Sequence, residues 1–212
     1  MNAWEHFLKE LGGAEEIFLV GPLHNGRYLA LGPTVFVDGG AKARGLAASQ
    51  TSFPEISVGD GDSYPSSLDF QLPKDKDYSD LAFVLRHLPN SVRHIHLLGF
   101  LGGRRDHELA NLGEAHSFLR TRTAFSTISF DSAVTGFNNG ELKSEIQGAF
   151  AVLVLESCRV KITGACRYLL AQPTLLDPLS SRGISNSGSG EVVLSADKPV
   201  FLFRQGSEHE RA

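Results

Sequence analysis

The chain is short of several things. Two cysteines, Cys158 and Cys166, stand among 212 residues. That is too few for a disulfide scaffold or a four-cysteine zinc site, and it fits two reduced thiols in a cytoplasmic protein. Basic residues do not outnumber acidic ones: 20 Lys and Arg against 24 Asp and Glu leave a charge of −4 with His neutral. Nothing is in excess to neutralise a phosphate backbone, so nucleic acid is not an expected partner. No apolar run approaches the ~18 residues of a membrane span. The N-terminus, Met1-Asn2-Ala3-Trp4-Glu5-His6, has no basic region followed by an apolar stretch, so neither membrane nor signal peptide is expected. The single Trp and single Met carry no evident chemistry. A nucleophile elbow, a Gly-x-Gly-x-x-Gly turn and a P-loop Gly-Lys-Ser/Thr are all missing.

What is present is an ordinary globular composition, 42% hydrophobic and 21% charged, enough to bury a core. At ~150 residues per domain the length suits one large domain or two small ones. Trp4, Phe7, Leu8 and Leu11 share one face of an amphipathic helix over residues 2–11, with Asn2 as its cap. Apolar runs closed by turn residues predict strands at Glu16–Val20, Thr34–Val37, Glu55–Val58, Arg93–Leu98 and Ala124–Phe130. Helical periodicity predicts helices over 79–88 and 105–119, the latter with Leu109, Leu112 and Leu119 in register, and a helix candidate covers 41–49. Strands alternating with helices indicate an α/β layer with a mainly parallel sheet. The pattern changes near residues 131–136. Beyond it, short β runs (Phe150–Leu155, Arg159–Thr163, Glu191–Leu194, Pro199–Phe203) are separated by Gly, Asn, Pro and Ser, with no helix. The expected fold is α/β: an N-terminal, mainly parallel, Rossmann-like catalytic domain over 1–133, followed by a small all-β sandwich over 134–212. Residues 177–190 read as a long Ser/Gly loop, and 206–212 as a frayed tail.

Three acidic clusters lie beside the predicted elements. Asp38-Gly39-Gly40 and Gly59-Asp60-Gly61-Asp62-Ser63 each close a strand, and Asp75-Lys76-Asp77-Tyr78-Ser79-Asp80 precedes a helix. Alone, each is an ordinary Asp/Gly turn or cap. Together they bring four to six carboxylates to the carboxyl edge of an open sheet, where ligands bind. So much like charge needs a cation, and Mg²⁺, which takes oxygen ligands and phosphates, suits it. A fourth cluster, Gly99-Phe100-Leu101-Gly102-Gly103-Arg104-Arg105-Asp106-His107, joins a strand to a helix, where backbone N–H groups and two guanidinium forks can hold phosphate. His24, His94, His96 and His116 read as structural.

In order and spacing, these motifs resemble the thiamine pyrophosphokinase (thiamine diphosphokinase) family. The first strand end, Leu19-Val20-Gly21-Pro22-Leu23, fits that family's opening strand. Gly102-Gly103-Arg104-Arg105-Asp106-His107-Glu108-Leu109-Ala110-Asn111 is similar to its phosphate-side loop, and Gly183-Ile184-Ser185-Asn186 to its closing Ser-Asn loop. The resemblance covers about residues 15–205. It implies a homodimer with composite active sites that moves the pyrophosphoryl group of ATP onto the hydroxyl of thiamine, with Mg²⁺, and releases AMP. Carried over by motif, Asp38, Asp60, Asp62 and Asp80 are the catalytic acidic residues, and Asp60, Asp62 and Asp80 the metal ligands. Gly21, Pro22, Asp75, Lys76, Gly102, Gly103, Arg104, Arg105 and Asp106 fall on the ATP side; Tyr168, Ser185 and Asn186 fall on the thiamine side. Gly61 stands where the family usually has an aromatic. The alternatives are pyrophosphoryl transfer to another alcohol, such as a hydroxymethylpterin, and a non-catalytic nucleotide-binding regulator.

Overall fold

The computed structural model describes residues 1–26, 31–46, 52–62 and 67–205. Part of the expected 41–49 helix, Ser63 and the 206–212 tail lie outside them. The chain divides into two compact units, Met1–Glu114 and Ala115–Ala212.

In the first unit, α1 (Ala3–Glu10) begins at a capping box. Asn2 Oδ1 accepts the Glu5 N–H while the Glu5 carboxylate accepts the Asn2 N–H. The strands are β1 (Glu16–Val20), β2 (Thr34–Val37), β3 (Glu55–Gly59), the short β4 (Phe70–Gln71) and β5 (His94–Leu98). They lie in the order β5-β1-β2-β3-β4, and each neighbouring pair is parallel. Burial on both faces of β2, and of β1 and β3 beyond their first residues, explains their unbroken apolar runs. α2 (Asp80–His87) follows β4, and its N-cap Ser79 accepts the Ala82 N–H at 3.1 Å. α3 (Arg105–Thr121) follows β5. An aromatic cluster pins α1 and α2 to this layer: the Phe83 ring lies 5.5 Å from Trp4 and 5.6 Å from Phe70. The chain runs outward from β1 through β2, β3 and β4, then returns to the other side of β1 as β5. The crevice between the carboxyl ends of β1 and β5 is therefore a topological switch point, where open α/β sheets take ligands.

The 41–49 helix expectation is corrected where it can be seen: Asp38–Ala43 is a short 3₁₀ turn. Leu109 is corrected as well. It is 61% exposed, while α3 buries Ala115, His116, Phe118 and Leu119.

The second unit contains the end of α3 and an antiparallel sheet. Its strands are β6 (Thr127–Phe130), β7 (Val134–Phe137), β8 (Gly140–Leu153), β9 (Cys158–Cys166), β10 (Leu170–Leu176), β11 (Asn186–Ala196) and β12 (Val200–Arg204), in the order β10-β9-β11-β8-β12-β7-β6. One core gathers Phe137, Ile146, Phe150, Val160, Leu176, Leu194 and Leu202 from six of these strands. Two expectations fail here. β8 starts at Gly140, because residues 140–149 are mostly exposed and lack an apolar pattern; its ladder with β11 holds them. The 177–190 loop ends early, because Asn186–Gly190 already belongs to β11. A Cβ on Gly188 would sit 2.8 Å from the Ile146 side chain, so that glycine marks close strand packing rather than a turn. β10, which the sequence did not suggest, is the edge strand of this unit and carries Pro173 at a break in register between Leu170 and Thr174.

Candidate active site

Four strand ends converge on one cleft of about 510 Å³. Pro22 follows β1, Asp38 follows β2, Asp60 and Asp62 follow β3, and Gly99, Phe100, Gly103 and Arg104 follow β5. Close backbone approach builds its floor. A Cβ on Gly99, whose φ is +72°, would lie 2.2 Å from the His24 nitrogen; one on Gly40 would lie 2.0 Å from the Val20 carbonyl oxygen. Only glycine lets these turns fold onto the end of β1.

Asp38 opens the 3₁₀ turn with a left-handed φ of 52°. Its Oδ1 is buried and meets no hydrogen-bond donor among the described residues. One carboxylate oxygen each from Asp38, Asp60 and Asp62 lie within 4.8 Å of one another. Asp60 Oδ1 accepts the Asp62 N–H at 3.2 Å, which folds the Gly-Asp-Gly-Asp turn back on itself. Asp80 does not belong to that triad of oxygens. Its carboxylate, at the first residue of α2, faces Lys76 at 3.0 Å, and the same ammonium lies 2.6 Å from Asp60 Oδ2. The hydrogen bond from Lys76 holds Asp60 below its usual carboxylate range. Burial pushes Asp80 above it, against the pull of Lys76 and with help from the Asp60 and Asp38 charges. Burial opposes the charge on Lys76, but its bonds to Asp60 and Asp80 outweigh that and leave its pKa raised.

An orphaned, buried carboxylate oxygen beside two further carboxylates is a donor set that fits a hard divalent cation. The charges lining the cleft agree. Asp38, Asp60, Asp62, Asp80 and Glu108 stand against Lys74, Lys76 and Arg104, an excess of negative charge that a bound cation would offset.

Of the residues assigned from sequence, Pro22, Asp38, Asp60, Asp62, Lys76, Asp80, Gly103 and Arg104 line the cleft. Gly21, Asp75, Gly102, Arg105 and Asp106 are not among its lining residues. Gly102 donates its N–H to Glu108, and Asp106 pairs with Arg104. That pairing lowers the Asp106 pKa and raises that of Arg104. In the second unit, Tyr168 is exposed, and its N–H and C=O are both held by the buried Asn186 side chain, at 2.9 and 2.7 Å. Ser185 is exposed with a left-handed φ of 61°.

Sequence reading missed Lys74, Tyr78, His107, Glu108 and Asn111 as lining residues. A signal existed for three of them. Arg104, His107, Glu108 and Asn111 fall at i, i+3, i+4 and i+7, one polar helical stripe. Asn111 Nδ2 also donates to the Phe100 carbonyl at 2.8 Å, which fixes the loop before α3.

Comparison with known proteins agrees with this architecture. Residues 32–126 match the family model described as thiamin pyrophosphokinase, catalytic domain. No curated relative matches the sequence. Among solved structures, a thiamin pyrophosphokinase family protein from Enterococcus faecalis superposes with a TM-score of 0.65 at 19% identity, covering 91% of this chain and 100% of that one. Thiamine pyrophosphokinase from Bacillus subtilis gives 0.62 at 19%, with the same coverage. Thiamin pyrophosphokinase from Candida albicans gives 0.64 at 12%, covering 91% and 90%. At these identities the superpositions speak for the fold. Residues 32–126 are thus similar to the thiamin pyrophosphokinase catalytic domain, and the rest of the chain shares the fold of its solved structures.

Proposed function

We infer that this chain transfers the pyrophosphoryl group of ATP to the hydroxyl of thiamine, giving thiamine diphosphate and AMP. The observation that carries the reading is the carboxylate triad of Asp38, Asp60 and Asp62 inside a cleft at the sheet's switch point, within the family-matched segment. The family match does not favour a pterin acceptor or a silent regulator. We read residues 1–133 as a Rossmann-like donor domain and 134–212 as a small sandwich-like acceptor and dimerisation domain. A cytoplasmic homodimer with composite sites completes the proposal.

Asp60 and Asp62, with Asp38 beside them, would hold Mg²⁺, and Asp80 is the further acidic ligand that the motif assigns. When bound, the ion supplies charge neutralisation on the phosphate oxygens. The chain's own groups do the rest. Gly103, Arg104 and Lys74 line the cleft where phosphates would lie, and Gly21, Pro22, Asp75, Lys76, Gly102, Arg105 and Asp106 complete the proposed ATP side. Arg104 must leave Asp106 to clamp a phosphate. Asp80 or Asp38 is the proposed acceptor of the hydroxyl proton. Tyr168 offers an exposed ring for the cationic thiazolium, with Ser185 beside the strand that Asn186 begins.

The test combines product analysis with one variant. With ATP, Mg²⁺ and thiamine, AMP and thiamine diphosphate should form together; ADP and thiamine monophosphate would refute the reading. Asp62→Asn should lower the rate by ~10²-fold or more while the protein stays folded. Near-normal AMP release from that variant would remove the metal role.

A further inference from the structure

Lys76 has a place in the cleft before any substrate arrives. Its side chain is 7% exposed, and it stands between two carboxylates that are themselves nearly covered, Asp60 at 16% and Asp80 at 10%. Asp38 and Asp62 extend the same acidic group. Buried carboxylates this close repel one another and are costly to desolvate, unless a cation lies among them. The Lys76 ammonium reaches Asp60 at 2.6 Å and Asp80 at 3.0 Å. It therefore joins the turn after β3 to the first residue of α2. We infer that Lys76 is the resident counter-ion of this acidic cluster, which lets Asp60 and Asp80 stay largely covered together and the first unit fold without a divalent cation.

The consequence is an exchange of roles. With Lys76 present, metal is needed for chemistry but not for folding. With its charge removed, two covered carboxylates lose their cation, and a divalent ion becomes a structural part of the fold. This second half rests on the metal reading of Asp38, Asp60 and Asp62 given above.

The experiment uses the full chain with Mg²⁺ alone, no nucleotide. Thermal midpoints are measured in EDTA and in saturating Mg²⁺ for the wild type, Lys76→Met, Lys76→Arg and the double variant Lys76→Met/Asp80→Asn. Mg²⁺ affinity is measured by calorimetry. In EDTA, Lys76→Met should fall by about 10 °C, the size expected for breaking a buried pair in a protein of this length. Mg²⁺ should restore most of that loss while raising the wild type by far less. Lys76→Met should also bind Mg²⁺ about tenfold tighter, because a nearby positive charge is gone. Lys76→Arg should keep most of the wild-type midpoint, and the double variant should regain part of it in EDTA. Equal EDTA midpoints for wild type and Lys76→Met would overturn the inference, as would equal gains from Mg²⁺. If Lys76→Met does not fold in EDTA, recovery by Mg²⁺ or by the added Asp80→Asn supports the counter-ion role. Failure of both rescues makes Lys76 a packing residue and refutes it. A wild type that binds no Mg²⁺ would sink the metal reading separately, and the EDTA comparison would still decide the role of Lys76.

Discussion

At the scale of single residues, the site depends on groups whose neighbours leave them no alternative. Gly40 is the plainest case, since any Cβ would meet the Val20 carbonyl at 2.0 Å. Gly40→Ala should cost about 3 kcal/mol of stability, read as a lowered urea midpoint with an unchanged slope. Asn186 behaves in the same way in the second unit. Its buried amide satisfies both main-chain groups of Tyr168, so Asn186→Ala should cost about 2 kcal/mol and loosen the Tyr168 backbone. A variant that keeps full stability yet loses thiamine affinity would mark Asn186 as a ligand contact alone. Cys158 is held inert: burial and the Asp197 carboxylate push its thiol up to about 12. The acidic residues were legible at this scale because Asp between glycines at a strand end is a local signal. The Lys76 bridge was not legible, since its two partners lie on different elements and only the fold brings them together.

At the scale of elements, α3 does two jobs. Its first turns aim His107, Glu108 and Asn111 toward the cleft, just after Arg104, which is why Leu109 is left in solvent and why the expected leucine register fails there. Its last turns are tied down by charge: the Glu156 carboxylate lies 3.4 Å from His116, 3.6 Å from Arg120 and 3.1 Å from Lys198. Burial, aided by Arg120 and Lys198, outweighs Glu156 and holds the His116 pKa below its ordinary value. The unfolded chain therefore takes up that proton more readily. The associated stability is complete above the ordinary histidine value of ~6.5 and falls as pH drops through it toward the folded pKa. His116→Gln should flatten this part of the pH–stability curve, as measured by urea midpoints between pH 7.5 and 5; an unchanged slope would assign it to another group. β1, β2 and α2 were legible, since apolar runs and helical periodicity are local. β10 and the first half of β8 were not, because their ladders hold them and their own residues carry little apolar pattern.

At the scale of the whole molecule, the proposed homodimer can be tested by complementation. Asp62→Asn subunits mixed with subunits inactivated at the thiamine side should regain part of the activity after exchange, because one site of each mixed dimer carries neither lesion. A fully active monomer, or no recovery despite verified exchange, would refute shared sites. Large apolar side chains exposed in the second unit, Tyr168, Leu169, Leu175 and Ile184, suit such a pairing. The edge strand beside them has another consequence. Pro173 has no N–H to offer a further strand, and the register break around it interrupts the ladder. The outermost rung of this sheet is thus a poor seed for polymer growth. Pro173→Val should shorten the lag before fibrils form in a concentrated, warmed solution.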